Sequence, residues 1–193
     1  MNDSSRPEFW DQRYASQRTP WDFGGVPLAL RKFLSHEPPA SVLIPGCGTG
    51  YEAKTFSVAG WKVDAVDFSE EAVRCAHASL GKADAGLVRH GDFFEPNTRG
   101  PFDLIYERTF LCSLPTDLWP RYAAQVWHSL RPEGRLVGFF FLGPEPDPPP
   151  HALGEEGLAQ LLGDAFERIE DEPVTDSLPL FDGKERWQIW KKK

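Results

Sequence analysis

VLIPGCGTG, residues 42–50, decides how the rest of the chain reads. A short apolar run ends at Pro45, and glycine then recurs at 46, 48 and 50 before the helix-like YEAK of 51–54. Gly46 and Gly48 free the backbone to turn sharply and remove the Cβ atoms that would hold a ligand away. Gly50 lets the next helix start tightly. A strand leaving through such a turn into a helix is the opening unit of a doubly wound α/β sheet, whose ligands bind at the carboxyl ends of the strands. The loop therefore points to a nucleotide-like cofactor. Taken alone it is a weak signal, because its spacing is GxGxG and a dinucleotide fingerprint is GxGxxG.

The segments around the loop support that reading. Further β-like runs are WKVDAVDF (61–68), AGLVRH (85–90), FDLIYE (102–107) and GRLVGFFFLG (134–143), with helical stretches between them. Ser69 followed by Glu70 and Glu71 is an N-cap with acids at the positive end of a helix. Leu118, Tyr122, Val126 and Leu130 recur every four residues and predict a helix over 117–130, with Pro120 in its permitted first turn. Alternating strands and helices give a mostly parallel sheet with right-handed crossovers. AFERIEDEPV (165–174) and RWQIWKK (186–192) read as two more strands, turning at Phe181–Gly183 into an antiparallel edge hairpin. The expected architecture is one Rossmann-like domain over residues 1–193, with a seven-stranded sheet: an N-terminal part to 35, a core at 40–143, and a loop and C-terminal strands at 144–193.

Composition excludes several classes. The net charge is −8, and the 21 Lys and Arg are dispersed, so no basic stripe is offered to nucleic acid. The N-terminus lacks a basic start followed by an apolar stretch, and no run approaches the ~18 apolar residues of a membrane span, so a cytoplasmic protein is expected. Cys47, Cys75 and Cys112 lie far apart without a CxxC or a Cys/His cluster, which suggests neither a disulfide framework nor a metal site.

Two further features sharpen the cofactor reading. Asp67 ends the second strand, where a carboxylate accepts both hydroxyls of a ribose; the alternative is a helix cap or surface acid. Asp92 and Phe93, in HGDFF (90–94), offer a carboxylate to an adenine amino group and a ring to stack on it; the alternative is a turn with a core aromatic. No basic cluster is present for a pyrophosphate. Together these features resemble the class I S-adenosylmethionine-dependent methyltransferases.

Longer stretches narrow the resemblance. FWDQRYASQRTPWDFGGVP (9–27), VLIPGCGTG, VDFSEEAV (66–73), HGDFF and FDLIYERTFLCSLP (102–115) resemble the thiopurine S-methyltransferase family and its plant halide and thiol methyltransferase relatives, over roughly residues 8–150. Ile44 stands where the general methyltransferase loop has an acid, and Ile44-Pro45-Gly46-Cys47-Gly48 is similar to this family's own version.

The resemblance implies that Trp10, Tyr14 and Trp21 form an aromatic lid over S-adenosylmethionine, although the same rings also read as an ordinary hydrophobic anchor. It places Pro45, Gly46, Cys47, Gly48, Gly50, Asp67, Phe68, Asp92, Phe93 and Glu107 at the cofactor. Glu107 and Arg108 would position the substrate, and Trp21, Arg108, Phe110 and His151 would line its space. Arg108 suits an anionic or thiolate acceptor; its other reading is a structural ion pair with Glu107 or another acid. Phe110 and Trp21 also read as core, and His151 as an exposed loop residue. The plant halide branch lacks the arginine, which favours thiols over halides.

The GPEPDPPPH stretch (143–151) resembles a Gly-Pro-Pro segment that closes over the substrate, with Pro148 in place of glycine. The chain also reads as trimmed after residue 150, implying a more open site. The expected protein is a monomer that methylates a small molecule and touches neither nucleic acid nor membrane. The rival readings are a sensor or partner subunit that binds the cofactor without transferring methyl, and a methyltransferase for nitrogen, halide or metalloid acceptors.

Overall fold

A computed structural model describes residues 3–96, 99–145 and 147–193. Seven strands form one sheet in the order β3-β2-β1-β4-β5-β7-β6, and the chain divides into two compact units, Met1–Asn97 and Thr98–Lys193. Pro146, in the proline-rich stretch, lies outside the described residues.

The first unit contains α1 (Pro7–Ala15), α2 (Leu28–His36), β1 (Ser41–Pro45), α3 (Tyr51–Val58), β2 (Lys62–Asp67), α4 (Glu70–Leu80) and β3 (Val88–His90). Strand β2 pairs in parallel with both β1 and β3. Val42, Leu43, Ile44, Ala65 and Val66 are all buried, the continuous apolar run of a strand covered on both faces rather than an alternating one. Successive right-handed crossovers that move the same way along a sheet place their helices on one face, and α3 packs against α4.

Helix α4 begins where Ser69 Oγ accepts the Ala72 N–H at 3.1 Å. It buries Ala72, Val73, Ala76 and Leu80, the three-to-four spacing of one helical face. The expected strand at 85–90 is shorter than predicted. Residues Ala85–Leu87 close a 3₁₀ turn, with the Leu87 N–H on the Asp84 carbonyl at 3.0 Å, and only Val88–His90 pairs.

The second unit contains β4 (Phe102–Arg108), α5 (Trp119–Ser129), β5 (Leu130–Phe141), α6 (Gly154–Leu162), β6 (Phe166–Pro173) and β7 (Glu185–Lys192). Strands β4 and β5 are parallel, and β7 runs antiparallel to both β5 and β6. The expected C-terminal hairpin is present, with Phe181 and Lys184 closing its turn. Strand β6 forms the edge and carries Glu167, Arg168, Glu170, Asp171 and Glu172, charges that discourage pairing with another chain.

The helix predicted over 117–130 is corrected at both ends. Leu118 is half-buried in a 3₁₀ turn, and Leu130 is extended and starts β5. Pro132 explains the second change, because it bars the helical conformation at Arg131 and brings no N–H to continue the helix. Tyr122 and Val126 do reach the core, joined by Leu158 and Leu162 of α6; that helix, between the prolines and β6, is not among the sequence expectations. Gly138 is obligatory: its φ is +156°, and a Cβ there would lie 1.8 Å from the Glu107 carbonyl oxygen.

Candidate functional site

In the first unit the loops after β1, β2 and β3 all leave from carboxyl ends of parallel strands. Gly46, Gly48 and Gly50 hold φ of +57°, +53° and +77°, values that a side chain rarely tolerates. The turn is closed by Cys47 N–H on the Val66 carbonyl (3.2 Å) and Gly50 N–H on the Cys47 carbonyl (3.0 Å). The atom that comes closest over the loop belongs to the N-terminal segment: a Cβ at Gly48 would sit 2.7 Å from Tyr14 Oη.

Asp67 ends β2 and is 6% exposed. Its Oδ2 accepts the Gly48 N–H and its Oδ1 the Ser69 N–H, each at 2.9 Å. Burial pushes its carboxyl up to about 6, opposed by those two hydrogen bonds, so it is ionised at neutral pH. A carboxylate offers about four lone-pair positions. Two are used, and two remain, the number that a vicinal diol needs. Both sequence readings of Asp67 therefore have a basis here: it braces the loop and the start of α4, and retains acceptor capacity.

The aromatic segment lies over this acid. Trp10 packs edge-on against Trp21 at 5.3 Å and against Phe9 at 5.0 Å, and Trp21 lies 6.1 Å from Tyr14. Trp21 Nε1 donates to Tyr14 Oη at 3.4 Å, and Trp10 Nε1 to the Ser4 carbonyl at 2.8 Å. Tyr14 is buried, and burial together with the Asp67 charge drives its phenol far up, so it stays protonated. Two acids that were not singled out in the sequence fasten this segment. Asp11 Oδ1 accepts the Ser69 hydroxyl (2.6 Å) and the Glu71 N–H (3.1 Å). Asp22 Oδ2 accepts the Thr49 hydroxyl at 3.3 Å. Both acids lie within the 9–27 stretch, but nothing in that stretch names their partners, and those of Asp11 are nearly 60 residues away.

After β3, Asp92 Oδ1 accepts the Phe94 N–H at 2.8 Å, a local turn. Phe93 is buried, with its ring 5.4 Å from half-buried Phe94. His90 Nε2 lies 3.0 Å from the carbonyl of Phe68. Trp10, Tyr14, Trp21, Gly48 and Asp67 are thus brought together by direct contacts, while Asp92 and Phe93 stand on the neighbouring loop.

Glu107, Arg108, Phe110 and His151 belong to the second unit. Glu107 is 1% exposed. Its Oε1 accepts the Phe110 and Leu111 N–H groups at 2.9 and 3.0 Å, and its Oε2 the Tyr122 hydroxyl at 2.8 Å. Burial raises its carboxyl to about 7 against those three bonds. The carboxylate thus nucleates the 3₁₀ turn Leu111–Ser113 and anchors α5. Between them, Thr109 takes φ of +60°, a costly conformation for a β-branched residue and one that clusters at functional sites.

Arg108 is half-buried, its guanidinium carbon 5.3 Å from the Phe139 ring centre. Its charge acts on Glu185, a buried acid raised by desolvation and pulled back by the Ser177 hydroxyl and Arg108. Phe110 leans on Tyr122 at 6.1 Å. The His151 N–H donates to the Cys112 carbonyl at 2.6 Å, and partial burial lowers the imidazole pKa. A cavity of about 10 Å³ lined by Glu107, Cys112, Phe139 and Leu158 holds one water at most and no organic acceptor. Among the described residues no cluster of His, Cys, Asp or Glu is built to hold a metal ion, and no helix is long and apolar enough to cross a membrane.

Comparison with known proteins shows the family of the chain. The thiopurine S-methyltransferase family model matches residues 5–193, so the likeness continues through the C-terminal strands beyond the 8–150 carried by the motifs. The thiocyanate methyltransferase 1 of Arabidopsis thaliana is 27% identical over 190 residues, covering 95% of this chain and 84% of its own. The thiopurine S-methyltransferase of Vibrio cholerae is 28% identical, covering 88% and 87%. Among solved structures, the 1,6-didemethyltoxoflavin-N1-methyltransferase of Burkholderia thailandensis, with bound 1,6-didemethyltoxoflavin and S-adenosylhomocysteine, aligns with a TM-score of 0.77 at 23% identity, over 97% of this chain and 87% of that one. The chain belongs to the thiopurine S-methyltransferase family and is an S-adenosylmethionine-dependent methyltransferase.

Proposed function

We propose that this protein methylates a small-molecule thiol, binding the acceptor as its thiolate. The observation that carries the choice of acceptor is the contrast at the end of β4. Glu107, whose carboxyl lies near 7 and so has the pKa of a general base, is 1% exposed and bonded to Phe110, Leu111 and Tyr122. It is closed to a substrate proton. Its neighbour Arg108 is a fixed cation on an aromatic face. A cation beside a carboxylate that is closed off suits an acceptor that ionises by itself, and Arg108 would lower the pKa of a thiol beside it. The names of the relatives, thiocyanate and thiopurine S-methyltransferases, support sulfur as the acceptor atom.

When bound, S-adenosylmethionine supplies an electrophilic methyl on a sulfonium whose positive charge is lost on transfer. The residues present fit it. Asp67 has two acceptor positions for the ribose hydroxyls, and the glycine turn at Pro45-Gly46-Cys47-Gly48 and Gly50 presents backbone rather than side chains. Phe68, Asp92 and Phe93 would serve the adenosine. Trp10, Tyr14 and Trp21 act as a lid that excludes water, which matters because alignment and desolvation govern such a displacement. In the second unit Phe110 walls the acceptor with Arg108, and the family resemblance adds Trp21; His151, its imidazole pKa lowered by partial burial, would be the proton acceptor for thiols that arrive protonated. Glu107 acts by fixing Phe110. Three free cysteines and the dispersed charge support a cytoplasmic monomer acting on small molecules.

The test is transfer of labelled methyl to an aromatic thiol, hydrosulfide, iodide, tellurite and a heterocyclic amine. Preferential transfer to the thiols is expected. Transfer to iodide or the amine in preference to any thiol would overturn the reading, and S-adenosylhomocysteine binding with no transfer at all would favour a sensor.

A further inference from the structure

Helix α4 is capped from two directions. Its own N-cap, Ser69, is fully buried and takes the Ala72 N–H on its Oγ. The neighbouring donor, the Glu71 N–H, goes to Asp11 of α1, and the same Asp11 oxygen accepts the Ser69 hydroxyl. The Ser69 N–H in turn donates to Asp67 Oδ1. A hydrogen-bonded path therefore runs from the covering helix, through one buried serine, to the acid that ends β2.

An isolated helix cap needs only a short polar side chain from the residue before the helix. Here that residue is present and already bonded, and a second acceptor arrives from another helix. Its charge suits the positive end of α4 yet opposes ionisation of Asp67. The benefit to the helix thus comes with a cost at the acid, which a cap alone would avoid with asparagine or serine.

We propose that Asp11 is a positioning residue for the cofactor: by gripping Ser69 and Glu71 it sets the Asp67 carboxylate and the covering helix α1 as one piece. The inference rests on reading Asp67 as the ribose acceptor. Asp22, on the Thr49 hydroxyl of the glycine turn, is a second fastening of the same segment, but it has no bond to Asp67. The charged and titratable groups facing Asp67 are Asp11 and Tyr14 from α1, Cys47 from the glycine turn and His90 from β3.

The test is calorimetric titration of S-adenosylhomocysteine against pH for the unaltered protein, Asp11→Ala, Asp11→Asn and Asp67→Ala, with thermal unfolding of each. Asp11→Ala is expected to weaken binding about tenfold at pH 7.5. Asp11→Asn keeps an oxygen for both bonds, so it should stay within about threefold. Because it no longer repels Asp67, it should also move the acid limb of binding to lower pH. If Asp11 were only a structural cap, Asp11→Ala would melt earlier with its affinity intact and Asp11→Asn would leave the acid limb in place; that result overturns the inference. Asp67→Ala separates the two levels. If it weakens binding while Asp11→Ala does not, the inference alone fails. If Asp67→Ala binds normally, the ribose reading fails first.

Discussion

Asp67 and Glu107 make a natural pair to compare. Each is a buried acid at or beside the carboxyl end of a strand, each accepts two backbone N–H groups (Asp67 from the glycine turn and from Ser69, Glu107 from Phe110 and Leu111), and burial raises each carboxyl, to about 6 and about 7. They differ in what remains. Asp67 accepts two bonds and keeps two acceptor positions beside an aromatic cover; Glu107 accepts three, one from a tyrosine hydroxyl of α5. Burial and a shifted pKa therefore do not by themselves separate the role proposed for Asp67 from that of Glu107. Unspent acceptor capacity is what supports the proposal.

The largest expected effect tests the structural half. Glu107→Ala leaves the Phe110 and Leu111 N–H groups and the Tyr122 hydroxyl without their acceptor, and should lower stability by about 3–5 kcal/mol in urea unfolding. A loss below about 1 kcal/mol, with methyl transfer abolished, would move Glu107 to the binding class. Asp67→Ala should weaken S-adenosylhomocysteine by about 1–3 kcal/mol in calorimetry.

The pH dependence separates the pair further. Between about 4 and 6 for Asp67, and about 4.5 and 7 for Glu107, the folded state holds a proton that the unfolded state has lost. Their contribution to stability therefore falls as pH rises through those windows. Cofactor affinity should run the opposite way, declining as pH drops below about 6, because protonated Asp67 loses acceptor positions. Melting temperatures of Glu107→Gln should lose the upper part of the slope, near pH 6–7, while the binding curve keeps its acid limb. The smallest effect is at Arg108. Arg108→Ala should reduce kcat/KM for a thiol about tenfold and leave S-adenosylhomocysteine affinity within twofold; a fall in stability without that kinetic change would make Arg108 the partner of Glu185 and nothing more.

What the sequence revealed follows from the range of the interactions involved. The glycine turn, the Ser69 cap and the buried parallel strands are local or periodic, so they were legible, as was the C-terminal hairpin. The four-residue period through Leu130 misled because an apolar residue continues the pattern while Pro132 ends the helix. Residues 85–87 misled because a run that short fits a turn as well as a strand. The place of Asp67 at the end of a buried strand was legible too. The commitments of Glu107 to Phe110, Leu111 and Tyr122, and the bonds from Asp11 and Asp22, were not, because such contacts depend on where distant backbone amides and hydroxyls come to lie.

Gly138 carries a consequence for how this enzyme can diversify. The Glu107 carbonyl occupies the space where any β-carbon would go, so a deep mutational map should show a column at 138 that rejects every residue but glycine, beside buried Val137 and Phe139, where other apolar residues of similar size are the tolerated ones. On the proposed reading, laboratory libraries that seek new acceptors would vary Phe110 and His151. Every member altered at 138 is lost from the screen before selection begins.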